Sequence, residues 1–152
     1  MMTWKPHTTV AAVIEDSGRF LMVEELIRGE LQINQPAGHL DPGESIIAAV
    51  SREVREEAAW SFQPEHVTGI YLWEHPDTER TFLRFAFCGK HHDHQPDQQL
   101  DSGIQRTLWM TRDEIAEANN LRSPMVLTCI DDYLAGKRYP LEMLSVIGEL
   151  TV

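Results

Sequence analysis

Apolar and polar positions mark out the elements of this chain before any chemistry is considered. His7 to Ile14 is rich in Thr, Val and Ala and reads as a strand. Glu15-Asp16-Ser17-Gly18 is turn chemistry and Arg19 to Leu26 is a second strand-like run, so the pair predicts a hairpin. Arg28-Gly29-Glu30 turns again, and Leu31-Gln32-Ile33 forms a short strand leading into a loop from Asn34 to Gly38. Ser45 is a good N-cap, and Ile46, Ile47, Ala49, Val50 and Val54 follow it at helical spacing. Pro64 bars that helix from continuing much beyond Trp60. Val67 to Glu74 and Arg80 to Cys88 read as strands around the turn His75-Pro76-Asp77; Gly89 to Leu100 reads as a polar loop, and Ile104 to Met110 as a further strand. Thr111 and Glu114 fit a capping box, opening a short helix to about Asn119. Ser123-Pro124 opens a last helix that Gly136 is suited to end. The tail from Lys137 to Val152 has no strong pattern. Without internal repeat or linker, the order strands, helix, strands, helices predicts one mixed α/β domain over residues 1–152.

Charge narrows the choice of partner. Thirteen basic residues stand against 24 acidic ones, a formal net charge of −11, which argues against a duplex nucleic-acid binder. Small anionic phosphates remain open, because bound cations reverse a local field. The two cysteines, Cys88 and Cys129, fall in apolar runs and are expected as buried free thiols. No apolar stretch is long enough to span a membrane, and the N-terminus lacks the apolar core of a signal peptide. The expected compartment is the reducing cytoplasm, and the expected state is monomer or homodimer.

The chemistry concentrates between Gly38 and Trp60. Glu53, Glu56 and Glu57 lie three and four residues apart, which puts their carboxylates on one side of a helix. Three like charges so close repel unless a cation sits among them, and hard divalent ions favour such oxygen clusters. The segment is a candidate Mg2+ site that would also accept Mn2+.

The full spacing is more specific. Gly38 is followed by five residues and Glu44, then by seven residues and Arg52-Glu53, Val54, Arg55, Glu56-Glu57, Ala58, Ala59 and Trp60. This resembles the Nudix box, with eight of nine positions matched and Ala59 in place of the family's glycine. The runs Asn34 to Leu40, Phe82-Leu83-Arg84-Phe85, Leu121 to Pro124 and Arg138 to Met143 resemble those of NudJ-type phosphatases in that family. The resemblance implies an α/β/α sandwich around a mixed sheet. It also implies Mg-dependent hydrolysis of nucleoside tri- and diphosphates and of hydroxymethylpyrimidine diphosphate, with release of inorganic phosphate.

Roles for the residues follow from the chemistry of phosphoanhydride hydrolysis, which needs an in-line water and neutralised charge. Glu53 and Glu57 are the first candidate metal ligands, and Glu56 is a third ligand or the base that orients water. Gly38 contributes its backbone carbonyl, Arg52 holds Glu44 and orients the glutamates, and Glu44 ligates through water or braces the loop. A further acid from the second half of the chain is Asp97 or Asp101, with Asp101 preferred. Arg84 is divided between a phosphate contact and a solvent-facing strand residue. Trp73 and Phe82 are candidate platforms for a base, although core packing is the plainer reading of each; Trp109 is read as core. Glu24-Glu25 is read as a solvated strand end, with a contribution to the acidic site as the alternative, and His91-His92-Asp93-His94 as an exposed loop.

Two alternatives stay open at this point. The same motif serves hydrolases of dinucleoside polyphosphates, ADP-ribose or capped RNA. A non-catalytic nucleotide-sensing domain of the family is the other, and Ala59 is the one feature that favours it. The plainer expectation is that the helix ends differently at Ala59 and catalysis survives.

Overall fold

Val10, Ala11, Ala12 and Val13 are all buried, so both faces of the first strand must be covered and both edges paired. The computed structural model describes residues 2–150 and places this strand, β1 (His7–Val13), inside a five-stranded sheet. Its neighbours are β5 (Ala37–His39), antiparallel, and β7 (Thr81–His92), parallel. Beyond β7 come β6 (Ser61–Glu74) and β9 (Tyr139–Pro140), both joined antiparallel. One parallel pairing among antiparallel ones makes the sheet mixed.

A second, antiparallel sheet is built on β3 (Arg19–Ile27). On one side β3 pairs with β8 (Ile104–Thr111); on the other it pairs with β2 (Glu15–Asp16) at its start and β4 (Glu30–Asn34) at its end. The hairpin expected between the first two strands forms only at its tip, where Glu15 and Asp16 pair with Phe20 and Arg19 around Ser17-Gly18 and Leu21 N–H donates to Ile14 O at 2.9 Å; β1 itself does not pair with β3. Strand β1 is apolar on both faces and takes central partners, while the two-residue β2 turns the chain into β3.

Strand alternation sorts the core into two layers. Val10, Ala12, Leu21 and Phe87 face helix α1 (Ile46–Ala58), meeting Val50, Val54 and Ala58. Val13, Phe20, Met22 and Ala86 face helices α2 (Arg112–Glu117) and α3 (Met125–Leu134), meeting Ile115, Val126 and Ile130. Helices on both faces of the sheets give the α/β/α sandwich around a mixed sheet that was expected. Cys88 and Cys129 are both free and buried.

Three boundaries differ from the sequence reading. Strand β6 begins at Ser61 and absorbs Pro64 at a register shift between Pro64 and His66, where a ladder donor is not needed. Strand β7 runs on to His92, so His91 and His92 end a strand, and only Asp93 and His94 lie in the loop that follows. The patternless tail supplies β9, which pairs with His66 and Val67, and then a 3-10 turn at Leu141–Met143. The capping box forms as expected: Glu114 N–H donates to Thr111 Oγ1 at 3.2 Å, and Thr111 N–H donates to Glu114 Oε1 at 2.9 Å. Ser123 Oγ accepts from Met125 N–H at 3.2 Å, though α3 starts one residue later than the Ser-Pro pair suggests.

Candidate active site

Helix α1 carries the centre of the site. Ser45 Oγ accepts from Ala48 N–H at 3.1 Å and fixes the start of the helix. Its buried stripe is Ala49, Val50, Glu53, Val54, Glu57 and Ala58, so two glutamates share the face that packs on the sheets. Each is only 7% exposed. Burial pushes the Glu57 carboxyl up to about 9 and the Glu53 carboxyl up to about 7. In both cases loss of water is the dominant cause, offset in part by hydrogen bonds from Ala37 N–H and Arg52 respectively.

Gly38 is explained by close approach. A Cβ there would lie 2.2 Å from the Glu53 carboxyl carbon, so the missing side chain is the seat of that carboxylate. The neighbouring Ala37 N–H donates to Glu57 Oε1 at 2.9 Å. Strand β5 thus holds both buried glutamates from the loop side.

Arg52 organises the rest. Its Nε and Nη2 donate to the two oxygens of Glu44 at 3.0 and 2.7 Å, a bidentate pair. Nη1 donates to Glu53 Oε1 at 2.9 Å and to Glu56 Oε2 at 3.2 Å, and Nη2 also reaches the carbonyl of His39 at 2.9 Å. Glu44 Oε1 accepts further from Asp41 N–H at 2.8 Å. These hydrogen bonds, led by those from Arg52, hold the Glu44 carboxyl below its ordinary value. Glu44 braces the loop and the arginine in this arrangement, and the arginine ties helix, loop and two glutamates together.

Ala59 ends the helix in the left-handed region, with φ 59° and ψ 28°. The expectation that an alanine would end the helix differently is therefore overturned. Alanine takes the turn with three of the carbonyls around it hydrogen-bonded. Ala59 N–H donates to Arg55 O at 3.1 Å, and Gln95 N–H donates to Ala59 O at 2.9 Å. Gln98 Nε2 donates to Arg55 O at 2.6 Å, and Asp101 N–H donates to Glu56 O at 3.0 Å. The last two of these contacts, with Gln95, dock the 95–101 loop on the end of α1. Carboxylate oxygens of Glu53, Glu56 and Asp101 come within 4.8 Å of one another as a result. Asp97, the other acid considered, stays exposed.

A pocket of about 680 Å³ opens beside this cluster. Gly38, Glu53, Glu57 and Asp101 line one part of it; Arg84, Trp73 and Phe82 line another. Arg84 is neither a solvent-facing residue nor a free one: it is 3% exposed, donating to Gln35 Oε1 at 2.9 Å and Asn34 Oδ1 at 3.0 Å. Trp73 and Phe82 stack at 5.8 Å between centroids and are half-buried pocket walls rather than core. Trp109 packs partly buried against the α1 layer, as expected.

The sequence reading held one further lining residue, Glu25, as an alternative and missed several others. Glu25 turns into the pocket at a β-bulge between Glu24 and Glu25, where burial raises its carboxyl, while Glu24 pairs with Arg106. Arg80, Arg122 and Gln35 also belong to this region. Gln35 is fully buried, and nothing local marks it in the sequence, because its partners lie 49 and 91 residues away.

An all-oxygen set of carboxylates, Glu53, Glu56 and Asp101 with the buried Glu57 beside them, suits a hard divalent cation, which offsets the cost of holding such groups ionised out of water. The site therefore fits Mg2+ or Mn2+ on its own chemistry.

The comparisons agree with this geometry. A NUDIX domain family model matches residues 5–128. Phosphatase NudJ of Escherichia coli K12 is 45% identical over 142 residues, covering 93% of this chain and 92% of that protein. A NUDIX hydrolase structure from Nitrosomonas europaea is 53% identical with a TM-score of 0.91, covering 94% of this chain and 98% of that one. The MutT protein from Methanosarcina mazei Go1 has a TM-score of 0.72 at 23% identity, over 90% of this chain and 100% of that one, a likeness of fold alone.

Proposed function

The chain belongs to the NUDIX domain family as a Nudix hydrolase, and from that premise we propose that it hydrolyses phosphoanhydride bonds of nucleoside tri- and diphosphates in a Mg-dependent reaction. Inorganic phosphate is the product released, and hydroxymethylpyrimidine diphosphate is a further substrate. The similarity to the E. coli protein, a phosphatase, supports this choice over a sibling specificity. The observation that carries the reading is the convergence of Glu53, Glu56 and Asp101 at one end of a pocket that also has an arginine and stacked aromatics.

Glu53, Glu56 and Asp101 would hold the cation, with Glu57 and the backbone of Gly38 as further oxygen donors from the same pocket lining. The ion, when bound, neutralises phosphate charge and lowers the pKa of a coordinated water. The chain's own part is placement. Arg52 fixes Glu53 and Glu56, Glu44 fixes Arg52, and Ala37 N–H fixes Glu57. Glu56 and Glu57 are the groups in position to take the proton of an attacking water. The oxygen of that water joins the terminal phosphorus, and the bridging oxygen leaves on the phosphate that stays with the product. Trp73 and Phe82 offer faces for the substrate's ring. The non-catalytic alternative rested on Ala59, and Ala59 keeps a helix end that leaves Glu57 on Ala37.

The test is a panel of nucleoside tri- and diphosphates and hydroxymethylpyrimidine diphosphate, assayed with Mg2+ and with chelator. Orthophosphate release that stops on chelation and returns with Mg2+ is expected. Pyrophosphate as the main product, or turnover only of dinucleoside polyphosphates or ADP-ribose, would move the assignment to a sibling specificity.

A further inference from the structure

We propose that Arg84 is the residue that binds the retained phosphate of the substrate, the one left on the product after the terminal phosphoryl group departs. This assignment rests on the hydrolysis proposed above, and deepens it by giving the substrate a direction in the pocket.

The first observation is an unbalanced charge. Arg84 is 3% exposed, and its hydrogen-bond acceptors are two neutral amide oxygens and, at 3.8 Å, the Cys129 sulfur. None of the ion pairs among the described residues includes it. A buried guanidinium without an anion is costly, and such cations are retained where a partner arrives later. The second observation is an unused donor: Arg84 Nε is buried with no hydrogen-bond partner. The residue lines the pocket, so a ligand can supply what the protein does not.

The third observation is distribution. Arg80 and Arg122 line the same pocket, and they too are absent from the ion pairs among the described residues. In a chain of formal net charge −11, three arginines outside those ion pairs line one cavity, the same one that holds the acidic cluster. A neutral ring carbonyl would leave the charge uncompensated; a phosphate balances it.

Position selects which phosphate. Arg84 pairs with Thr9, and Thr9 with His39, so Arg84 stands two strand spacings, about 10 Å, from the residue after Gly38. Its guanidinium reaches back to Asn34 and Gln35, the segment leading into Gly38. The terminal phosphoryl group belongs with the carboxylates, where the cation would sit. The next phosphate falls toward Arg84, and the ring beyond it toward Trp73 and Phe82. Gln35 holds the arginine ready: its Nε2 donates to Val126 O at 2.7 Å, which turns its oxygen to Arg84.

The probes are the four nucleoside 5′-monophosphates and their parent nucleosides, titrated by calorimetry at low salt with chelator present. Wild-type protein is expected to bind at least one monophosphate about tenfold or more tightly than its nucleoside, as charge-assisted hydrogen bonds require. Arg84→Gln is expected to remove that difference while leaving nucleoside affinity in place, and Arg19→Gln, on the far surface, to leave it intact. Equal affinity for all four pairs in the wild type overturns the assignment without any variant, so a misfolded Arg84→Gln does not protect it. A loss of nucleoside and monophosphate affinity in equal measure also overturns it, since Arg84 would then read the ring. Phosphate release with Mg2+ is measured separately on the wild type, and its absence would sink the proposed hydrolysis and not the phosphate contact.

Discussion

Gly38 and Glu53 compete for one volume, and the sequence resolves the contest in favour of the carboxylate. In Gly38→Ala the added methyl would meet the Glu53 head group, the movable end of a side chain. The variant should therefore fold cooperatively while the carboxylate swings away from Glu56 and Asp101. We expect Mg2+ affinity to fall by about 10–100-fold, the usual cost of disturbing a ligand's support. Isothermal titration beside a thermal melt separates the two effects, and unchanged affinity would refute the role given to Gly38. Glu57→Gln keeps the shape and removes the charge. Turnover should drop by about 10²–10⁴-fold, the range for a lost acid–base group, with no loss of thermal stability in chelator. Near-normal turnover would overturn the assignment of Glu57. Ala59 presents the opposite case, a residue held in a conformation that suits glycine. Ala59→Gly relieves a left-handed alanine worth about 1–2 kcal/mol and gives back part of it as backbone entropy. The net expectation is a Tm higher by about 1–4 °C, with activity retained; a lower Tm would show that the turn carries no strain.

The elements around α1 were legible to different depths for a physical reason. The Gly38–Trp60 segment is local: a loop, a cap and four helical turns, so spacing alone brings Glu53 and Glu57 onto one buried face. The 95–101 loop has no such periodicity, and its order comes from α1. The last carbonyls of any helix lack intrahelical partners, and here Arg55 O, Glu56 O and Ala59 O receive Gln98 Nε2, Asp101 N–H and Gln95 N–H. That docking is what places Asp101, and no reading of residues 95–101 by themselves could supply it. Gln98→Ala removes one of these bonds, worth about 1 kcal/mol. Its larger effect should be on Mg2+ affinity, through a loosened Asp101; a melt alone would miss it, and a metal titration identical to wild type would dissociate the loop from the site. The hairpin that stops at its tip has the same origin in reverse. Two adjacent apolar runs suggest pairing by proximity, but β1 is wanted on both edges by β5 and β7, whose residues lie 26 to 75 positions onward.

At the scale of the molecule, the pocket draws on both sheets and the start of α3, and this is why Arg84, Trp73 and Phe82 on its far wall stayed divided between two readings while its acidic pole did not. Contacts such as Arg84 with Asn34, or Gln35 with Val126, join positions 50 and 91 apart in an interior that only the finished sandwich creates. The same assembly stores two protons. Glu53 and Glu57 have folded pKa values of about 7 and about 9, above the ordinary carboxylate value near 4.5. The folded metal-free protein therefore holds these protons more tightly than the unfolded chain does. Their contribution to stability is fully present below pH 4.5 and is lost as pH rises through about 7 and then about 9. A bound cation reverses the slope, because it takes the deprotonated carboxylates and stabilises the folded state by mass action. In chelator, Tm should decline from pH 6 to pH 9 relative to a Glu57→Gln control. With excess Mg2+, the gain in Tm should widen over the same interval, and titration in weak buffer should record protons released on binding. A Mg2+ gain that is flat from pH 6 to pH 9, with no proton release, would mean that the buried glutamates are not where the cation binds.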